Sequence, residues 1–353
     1  MRVLVGMSGG IDSSVAALLL KHAGHEVVGV TMSIWRAGNP FSGELNKNAC
    51  FGPNEEEDIA EARRIRKMLG IEYHVLDCAE QYEQIVLEDF KDEYLAGRTP
   101  NPCIWCNSMI KFGALPKIAR ESGIVFDRFA TGHYAQVAQQ GSRFVLKKAV
   151  DIRKDQSYFL YRLTQQQLAE IMFPLGTLTK ADARSICKEH GFFTDEKEES
   201  QDFYSGDYSD LLQTEAKTGP IVDMQGNKLG EHEGYWRYTI GQRRGLGVSG
   251  GRPWYVIGVD AKENIVVVGH EEDTFKNSLE ADQLNWIAVN HLEKPCEVQA
   301  KIRSTGVPKA AIVAPNTDGS VSVRFAEMQK AVTPGQSVVF YQDDVVLGGG
   351  VIR

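Results

Sequence analysis

Gly6-Met7-Ser8-Gly9-Gly10-Ile11-Asp12-Ser13-Ser14, set between an apolar strand and a helix, constrains the fold of this chain more than any other stretch. Val3-Leu4-Val5 before it reads as a buried strand. Val15-Ala16-Ala17-Leu18-Leu19-Leu20 after it carries apolar residues at helical spacing until Gly24 stops the run. The first turn of a helix leaves backbone N–H groups unpaired and carries partial positive charge, and glycines let a ligand approach the main chain. The stretch is therefore built to cradle an anion. Its spacing matches neither the dinucleotide fingerprint G-x-G-x-x-G, whose third glycine is missing, nor the Walker pattern, whose lysine is missing. A serine-capped helix after a tight turn, with no ligand, is the simpler alternative.

Strand and helix signals keep alternating downstream. Val27-Val28-Gly29-Val30-Thr31-Met32, Tyr73-His74-Val75-Leu76-Asp77 and Phe129-Ala130-Thr131 read as further strands. Between the first two lies a helix with Asn54 as N-cap, Glu55, Glu56, Glu57 and Asp58 in its first turn, and Arg63, Arg64, Arg66 and Lys67 later. That polarity suits the helix dipole and marks a solvated face. An amphipathic stretch over residues 80–95 stops at Gly97. Residues 164–191 read as helical, with Lys180, Arg184 and Lys188 along one face, a stripe suited either to RNA backbone or to water. The alternation predicts an α/β fold with a doubly wound parallel sheet and ligands outside the carboxyl ends of its strands, where the glycine loop, Met32, Asp77 and Gly132-His133 fall.

Beyond Gly206 the texture turns to short β-rich runs broken by glycine, among them Pro220-Ile221-Val222-Asp223, Gly234-Tyr235-Trp236-Arg237-Tyr238 and Val338-Val339-Phe340-Tyr341. Two small antiparallel β-barrels are expected, dividing the 353 residues into parts at 1–205, 206–278 and 279–353. No apolar run reaches membrane-span length and the first strand begins too early for a signal peptide, so a soluble, cytoplasmic monomer with no membrane partner is expected. The net charge of −8 argues against indiscriminate nucleic-acid binding but leaves room for a local basic face.

Six cysteines (Cys50, Cys78, Cys103, Cys106, Cys187 and Cys296) are too scattered for a disulfide framework. Cys187, among apolar neighbours, reads as a core thiol. Cys103-Ile104-Trp105-Cys106 follows Arg98-Thr99-Pro100-Asn101-Pro102, and Cys106 is expected at a helix entry, where the dipole lowers a thiol's pKa. A Cys-x-x-Cys pair suits redox chemistry, half a zinc site or half a cluster site. No second pair completes a zinc site.

Ser8-Gly9-Gly10-Ile11-Asp12-Ser13 resembles the PP-loop of ATP pyrophosphatases. With Thr99-Pro100-Asn101-Pro102, Cys106-Asn107, Thr131-Gly132-His133-Tyr134-Ala135, Lys154-Asp155-Gln156-Ser157, Tyr238-Thr239-Ile240-Gly241-Gln242-Arg243 and Pro334-Gly335-Gln336, it is similar in order and over nearly the whole length to the bacterial tRNA-specific 2-thiouridylases. The resemblance implies a HUP-like ATP-binding domain and ATP-dependent sulfuration of C2 of the wobble uridine in tRNAs for Lys, Glu and Gln. It also implies a sulfur-donor protein or sulfide as partner. Carried over by motif, Gly6, Met7, Ser8, Gly9, Gly10, Ile11, Asp12, Ser13, Met32 and Gly132 would hold ATP. Mg²⁺ would neutralise pyrophosphate, with Asp12 either near the metal or capping the helix. Asn101, Pro102, Cys103, His133, Lys154, Asp155, Gln156, Arg303, Ser304 and Gln336 would meet tRNA, and Cys106 with Cys103 would carry the sulfur.

The chain departs from the family pattern twice. Where relatives carry a second catalytic cysteine, Glu199-Ser200-Gln201-Asp202-Phe203-Tyr204-Ser205 has Tyr204, and a phenol cannot hold a persulfide. Where many relatives have Asp-x-x-Cys, this chain has Cys103. Two sulfur routes follow: a Cys103/Cys106 dithiol, or a [4Fe–4S] cluster on Cys50, Cys103 and Cys106. Rival functions are a PP-loop adenylating or amidating enzyme acting on a small molecule, and a tRNA-binding paralogue with altered catalysis.

Overall fold

β1 (Arg2–Gly6) sends Val3 and Val5 to one side of the sheet and Leu4 to the other, all fully buried, as the two-residue period of a strand requires. It is the middle strand of a parallel sheet in the computed structural model, which describes residues 1–36, 50–52, 55–193, 203–204, 206 and 208–353. β2 (Glu26–Ser33) and β3 (Glu72–Asp77) extend the sheet on one side of β1. β4 (Arg128–Ala130) extends it on the other. Helices α1 (Ile11–His22) and α2 (Glu55–Leu69) cover the Val3 and Val5 face with Ala16, Ala17, Leu20, Ala62, Ile65 and Leu69. The winding direction reverses between β1 and β4, which opens a crevice at their carboxyl ends. The expected N-cap Asn54 lies outside the described residues.

The single helix expected over 164–191 is two helices, Gln165–Glu170 and Lys180–Glu189, each started by its own threonine capping box. Between them Ile171–Met172 extends and pairs with Phe129 and Ala130 as a fifth parallel strand, because Pro174 and Gly176 interrupt helical hydrogen bonding. A period of 3.6 in the apolar residues ran across this break by coincidence. Cys187 is a buried core thiol, as expected.

The chain from Pro102 to Glu121 is helical, but its middle, Cys106–Ala114, is wound as π-turns. Such widened turns leave carbonyls poorly paired and recur at functional sites. Here Gln167 Nε2 donates to Ser108 O at 2.7 Å and to Phe112 O at 3.1 Å.

The central part forms a four-stranded sheet whose two antiparallel pairs join through a parallel contact between Ile265–Gly269 and Gly219–Val222. The strand expected at 234–238 is instead a 3₁₀ turn, Tyr235–Arg237, that buries Tyr235 and Trp236 and sends the Tyr235 hydroxyl 2.7 Å to Leu95 O. The C-terminal part is a closed six-stranded antiparallel barrel, sealed where Phe275–Trp286 pairs with Val345–Ile352. Its sheet is lengthened by a hairpin from the N-terminal part, Gln136–Gln140 and Arg143–Lys147, through Lys147 and Val345. No helix among the described residues is long and apolar enough to cross a membrane.

Thr99 is where the three parts meet. Its N–H donates to Pro334 O at 2.9 Å, and its hydroxyl lies 3.2 Å from that of Thr239. A Cβ on Gly335 would sit 2.9 Å from the Thr99 backbone, so only glycine allows that turn to lie flush on the cysteine loop. Gln336 Nε2 completes the seam, donating to Thr99 O at 2.9 Å and Pro100 O at 3.0 Å.

Candidate functional site

The glycine loop leaves β1 at the crevice. Gly9 adopts φ +71°, and a side chain there would run into the Asp58 carbonyl of α2. Ser13 Oγ closes the loop from inside, accepting from Ser8 N–H at 3.1 Å and donating to Gly10 O at 3.2 Å. Gly10 is the N-cap of α1 and no side chain caps the first turn, which leaves that turn for a ligand. Asp12 is therefore not a capping residue. Met7 anchors the loop: its side chain is 2% exposed, its N–H donates to Val30 O at 2.8 Å and its carbonyl accepts from the Thr31 hydroxyl at 2.6 Å. Met32 and Ile11 are half-buried at the same edge.

Gly132, at the end of β4, meets the loop from the other side of the crevice. A Cβ there would lie 2.6 Å from the Asp12 carbonyl carbon and 2.7 Å from Ser13 N. The backbone of one strand end is thus packed directly on the first turn of α1.

Asp12 has a partner that the sequence reading placed elsewhere. Lys180 Nζ lies 2.7 Å from Asp12 Oδ1 and 2.8 Å from Oδ2, and the Tyr134 hydroxyl donates to Oδ1 at 2.9 Å. Lys180 is only 6% exposed, so the expected basic stripe with Arg184 and Lys188 loses its first member to the glycine loop. A local signal existed. Thr179-x-x-Asp182 is a capping box, and it puts Lys180 at the first helical position, where the helix dipole disfavours a cation that has no anionic partner.

The thiols sit on the helical run that begins at Pro102. Cys103 and Cys106 form no disulfide and are half-buried against the main core, and Cys50 is exposed. The expected lowering of the Cys106 pKa is reversed: burial pushes its thiol up to about 11, the Lys111 charge works against that shift and Cys50 adds to it. The helix starts at Pro102, a full turn earlier, so Cys106 is inside a continuous helix and receives no N-terminal field. Burial likewise lifts the neighbouring Cys78 to about 12. The Cys106 thiolate should therefore be scarce at pH 7 and grow about tenfold per pH unit, without a plateau until near its pKa. Alkylation of Cys106 by iodoacetamide, followed by mass spectrometry from pH 7 to 10, is expected to rise with a log slope near one. A plateau between pH 7 and 8 would contradict the buried environment.

Among the described residues no three His, Cys, Asp or Glu side chains converge as a metal-binding group. Cys50, Cys103 and Cys106 are thus not arranged as cluster ligands, and both Asp12 oxygens are engaged by Lys180. Neither an iron–sulfur cluster nor a protein-held Mg²⁺ fits these residues as they stand.

Tyr204 is 3% exposed, its hydroxyl 3.3 Å from Asp210 Oδ2, beside Phe203, which stacks on Phe51 with ring centroids 6.0 Å apart. Tyr204 is thus part of an aromatic core next to Cys50. Residues 199–202 and 205 lie outside the described residues.

The residues expected at tRNA are spent unevenly. Pro102 is buried as the first residue of its helix, and Asn101 is half-buried beside it. Asp155 accepts from Ala149 N–H at 3.0 Å and from the Ser157 hydroxyl at 2.7 Å, while Gln156 Oε1 accepts from Tyr134 N–H at 2.8 Å. These two, like Gln336, brace the scaffold. His133 packs between Phe112 and Phe173, with Nδ1 2.7 Å from the Thr131 hydroxyl. Burial, aided by Lys111, holds it well below the usual histidine range and so neutral at pH 7. Lys154 and Ser304 are half-buried, and Arg303 donates to Ala331 O at 2.8 Å.

Comparison with known proteins gives full-length matches. The model described as the tRNA methyl transferase HUP domain covers residues 1–204, the tRNA methyl transferase PRC-barrel domain 210–270, and the aminomethyltransferase beta-barrel domain 276–352. A tRNA-specific 2-thiouridylase of Endomicrobium trichonymphae is 51% identical over 356 residues, covering 100% of this chain and 99% of that protein. Similar proteins of the same description from Acetivibrio thermocellus and Caldanaerobacter subterraneus are 45% and 44% identical, each over 361 residues, covering 100% of this chain and 99% and 98% of theirs.

Proposed function

Because the chain belongs to the tRNA-specific 2-thiouridylase family, we propose that it replaces the C2 oxygen of the tRNA wobble uridine by sulfur at the expense of ATP. The observation that supports this reading best is the crevice itself. One wall is an uncapped helix N-terminus fit for phosphate, and the helix that carries Cys103 and Cys106, neither in a disulfide, packs its Phe112 on His133 next to Gly132.

The carbonyl oxygen of uridine is a poor leaving group. The backbone of residues 6–13 and Gly132 would hold ATP with its α-phosphate toward that oxygen, so that adenylation releases pyrophosphate and leaves C2 open to a sulfur nucleophile. Cys106 would carry the sulfur as a persulfide. Its terminal sulfur bonds to C2, and the adenylate leaves as AMP. Cys103 then attacks the Cys106 sulfur, which releases thiouridine and leaves a Cys103–Cys106 disulfide for an external thiol to reduce. With Tyr204 buried, this pair replaces the relay between distant cysteines. A protein persulfide would supply the sulfur to the reduced pair by exchange; sulfide would do so only by opening the Cys103–Cys106 disulfide, whose S–S bond is the two-electron oxidant, which gives the Cys106 persulfide and the Cys103 thiol. Asn101, His133, Lys154 and Arg303 would meet the anticodon arm; His133, being neutral, would contribute a hydrogen bond and no charge.

Methyl transfer, named in the domain-model descriptions, needs neither an ATP-splitting loop nor a Cys-x-x-Cys pair, and a small-molecule amidating enzyme does not need Cys106. The test is mass analysis of tRNA incubated with the protein, ATP, Mg²⁺, a persulfide donor and a reducing thiol. A gain of sulfur in place of oxygen at the wobble uridine, with one AMP released per sulfur, is expected. ATP cleavage without tRNA modification would overturn the reading.

A further inference from the structure

An aspartate in the first turn of an anion-binding helix is an electrostatic contradiction, because Asp12 would repel the phosphates that the uncapped N-terminus attracts. The structure resolves it with a side chain 168 residues away. We propose that Lys180 is a positioning residue of the nucleotide site. It neutralises and orients Asp12 so that the glycine loop accepts a polyphosphate. The inference rests on the reading of the loop as an ATP site.

Several independent features aim Lys180 at this task. Its ammonium meets both Asp12 oxygens, and the Tyr134 hydroxyl fixes Oδ1 from another direction. The ammonium also lies 5.7 Å from the centre of the Tyr134 ring. Its backbone is held as tightly: Lys180 N–H donates to Asp151 Oδ2 at 3.1 Å, and the capping box of Thr179 and Asp182 sets the helix start. Stability does not explain the arrangement. A mostly buried ion pair returns little net stability after desolvation, and a lysine at the first position of a helix opposes that helix's own dipole. A pair that is poor for folding, placed against the anion cradle, makes sense as a device for the ligand. It keeps the local charge near zero when the site is empty, and it puts a cation within reach of the phosphates when the site is filled.

The experiment compares wild type, Lys180→Met and the double variant Lys180→Met with Asp12→Asn, measuring affinity for ATP and for adenosine by calorimetry without Mg²⁺. Lys180→Met is expected to weaken ATP by about 10- to 100-fold, the scale of one charge-assisted interaction, and to leave adenosine within about twofold. The double variant, which leaves no unpaired charge and so protects folding, is expected to regain most of the ATP affinity. Equal weakening of ATP and adenosine, unchanged ATP binding, or no recovery in the double variant would each overturn the proposal. Absence of ATP binding by the wild type would instead overturn the ATP reading beneath it.

Discussion

Replacing Cys106 by serine is expected to lower tRNA thiolation by at least about a thousandfold while leaving tRNA-dependent pyrophosphate release within a few-fold of wild type. The two halves of the reaction are spatially separate. Phosphates would sit at Gly6, Gly9, Gly10 and Gly132, whereas Cys106 begins the π-turns of another helix. Serine is nearly isosteric with cysteine, so the fold should persist. What disappears is the sulfur atom to which the proposed function assigns the persulfide. Cys103→Ser is expected to permit at most one sulfur transfer per enzyme without turnover, and Cys50→Ser to retain turnover. Sulfur content of tRNA by mass spectrometry, beside a pyrophosphate assay, checks all three. Full thiolation by the Cys106 variant would remove the persulfide role and revive the amidating alternative.

The second large effect is expected at Gly132. Adding one methyl group in Gly132→Ala puts a carbon 2.6 Å from the Asp12 carbonyl carbon and 2.7 Å from Ser13 N, and backbone atoms cannot swing aside as a side-chain tip can. Either β4 or the first turn of α1 must retreat, at an overpacking cost of about 1–3 kcal/mol. Because the proposed function puts the phosphates at that turn, ATP affinity should fall by about a hundredfold, with a melting temperature several degrees lower. Calorimetry with a non-hydrolysable ATP analogue is the check, and an unchanged dissociation constant would show that the cradle lies elsewhere. Gly123→Ala, where a Cβ would meet nothing within 4 Å but φ is +82°, is a control for backbone strain without intrusion into the site.

These expectations concern parts of the molecule that differ in how legible they were. β1 to β4 and the glycine loop follow from runs of adjacent residues: apolar stretches of strand length, glycines, and a helical period behind them. The helix break at 171–172 was hidden because Leu168, Ile171 and Met172 fit a helical period, although Pro174 and Gly176 follow directly; pairing with β4 then holds Ile171–Met172 extended. The 3₁₀ turn at Tyr235 was hidden likewise, since alternation resembled a strand until burial of Trp236 against the main core decided otherwise.

The sequence by itself determined the class of the fold, the glycine loop between strand and helix, and the Cys103-x-x-Cys106 pair, because each is written in neighbouring residues. The tertiary structure alone decided the raised Cys106 pKa, the bracing roles of Asp155, Gln156 and Gln336, and the pairing of Lys180 with Asp12 across 168 positions. The physical reason is the same for each. Desolvation and ion pairing depend on what surrounds a side chain, and those surroundings come from segments that the strand order brings together, not from residues adjacent in the chain.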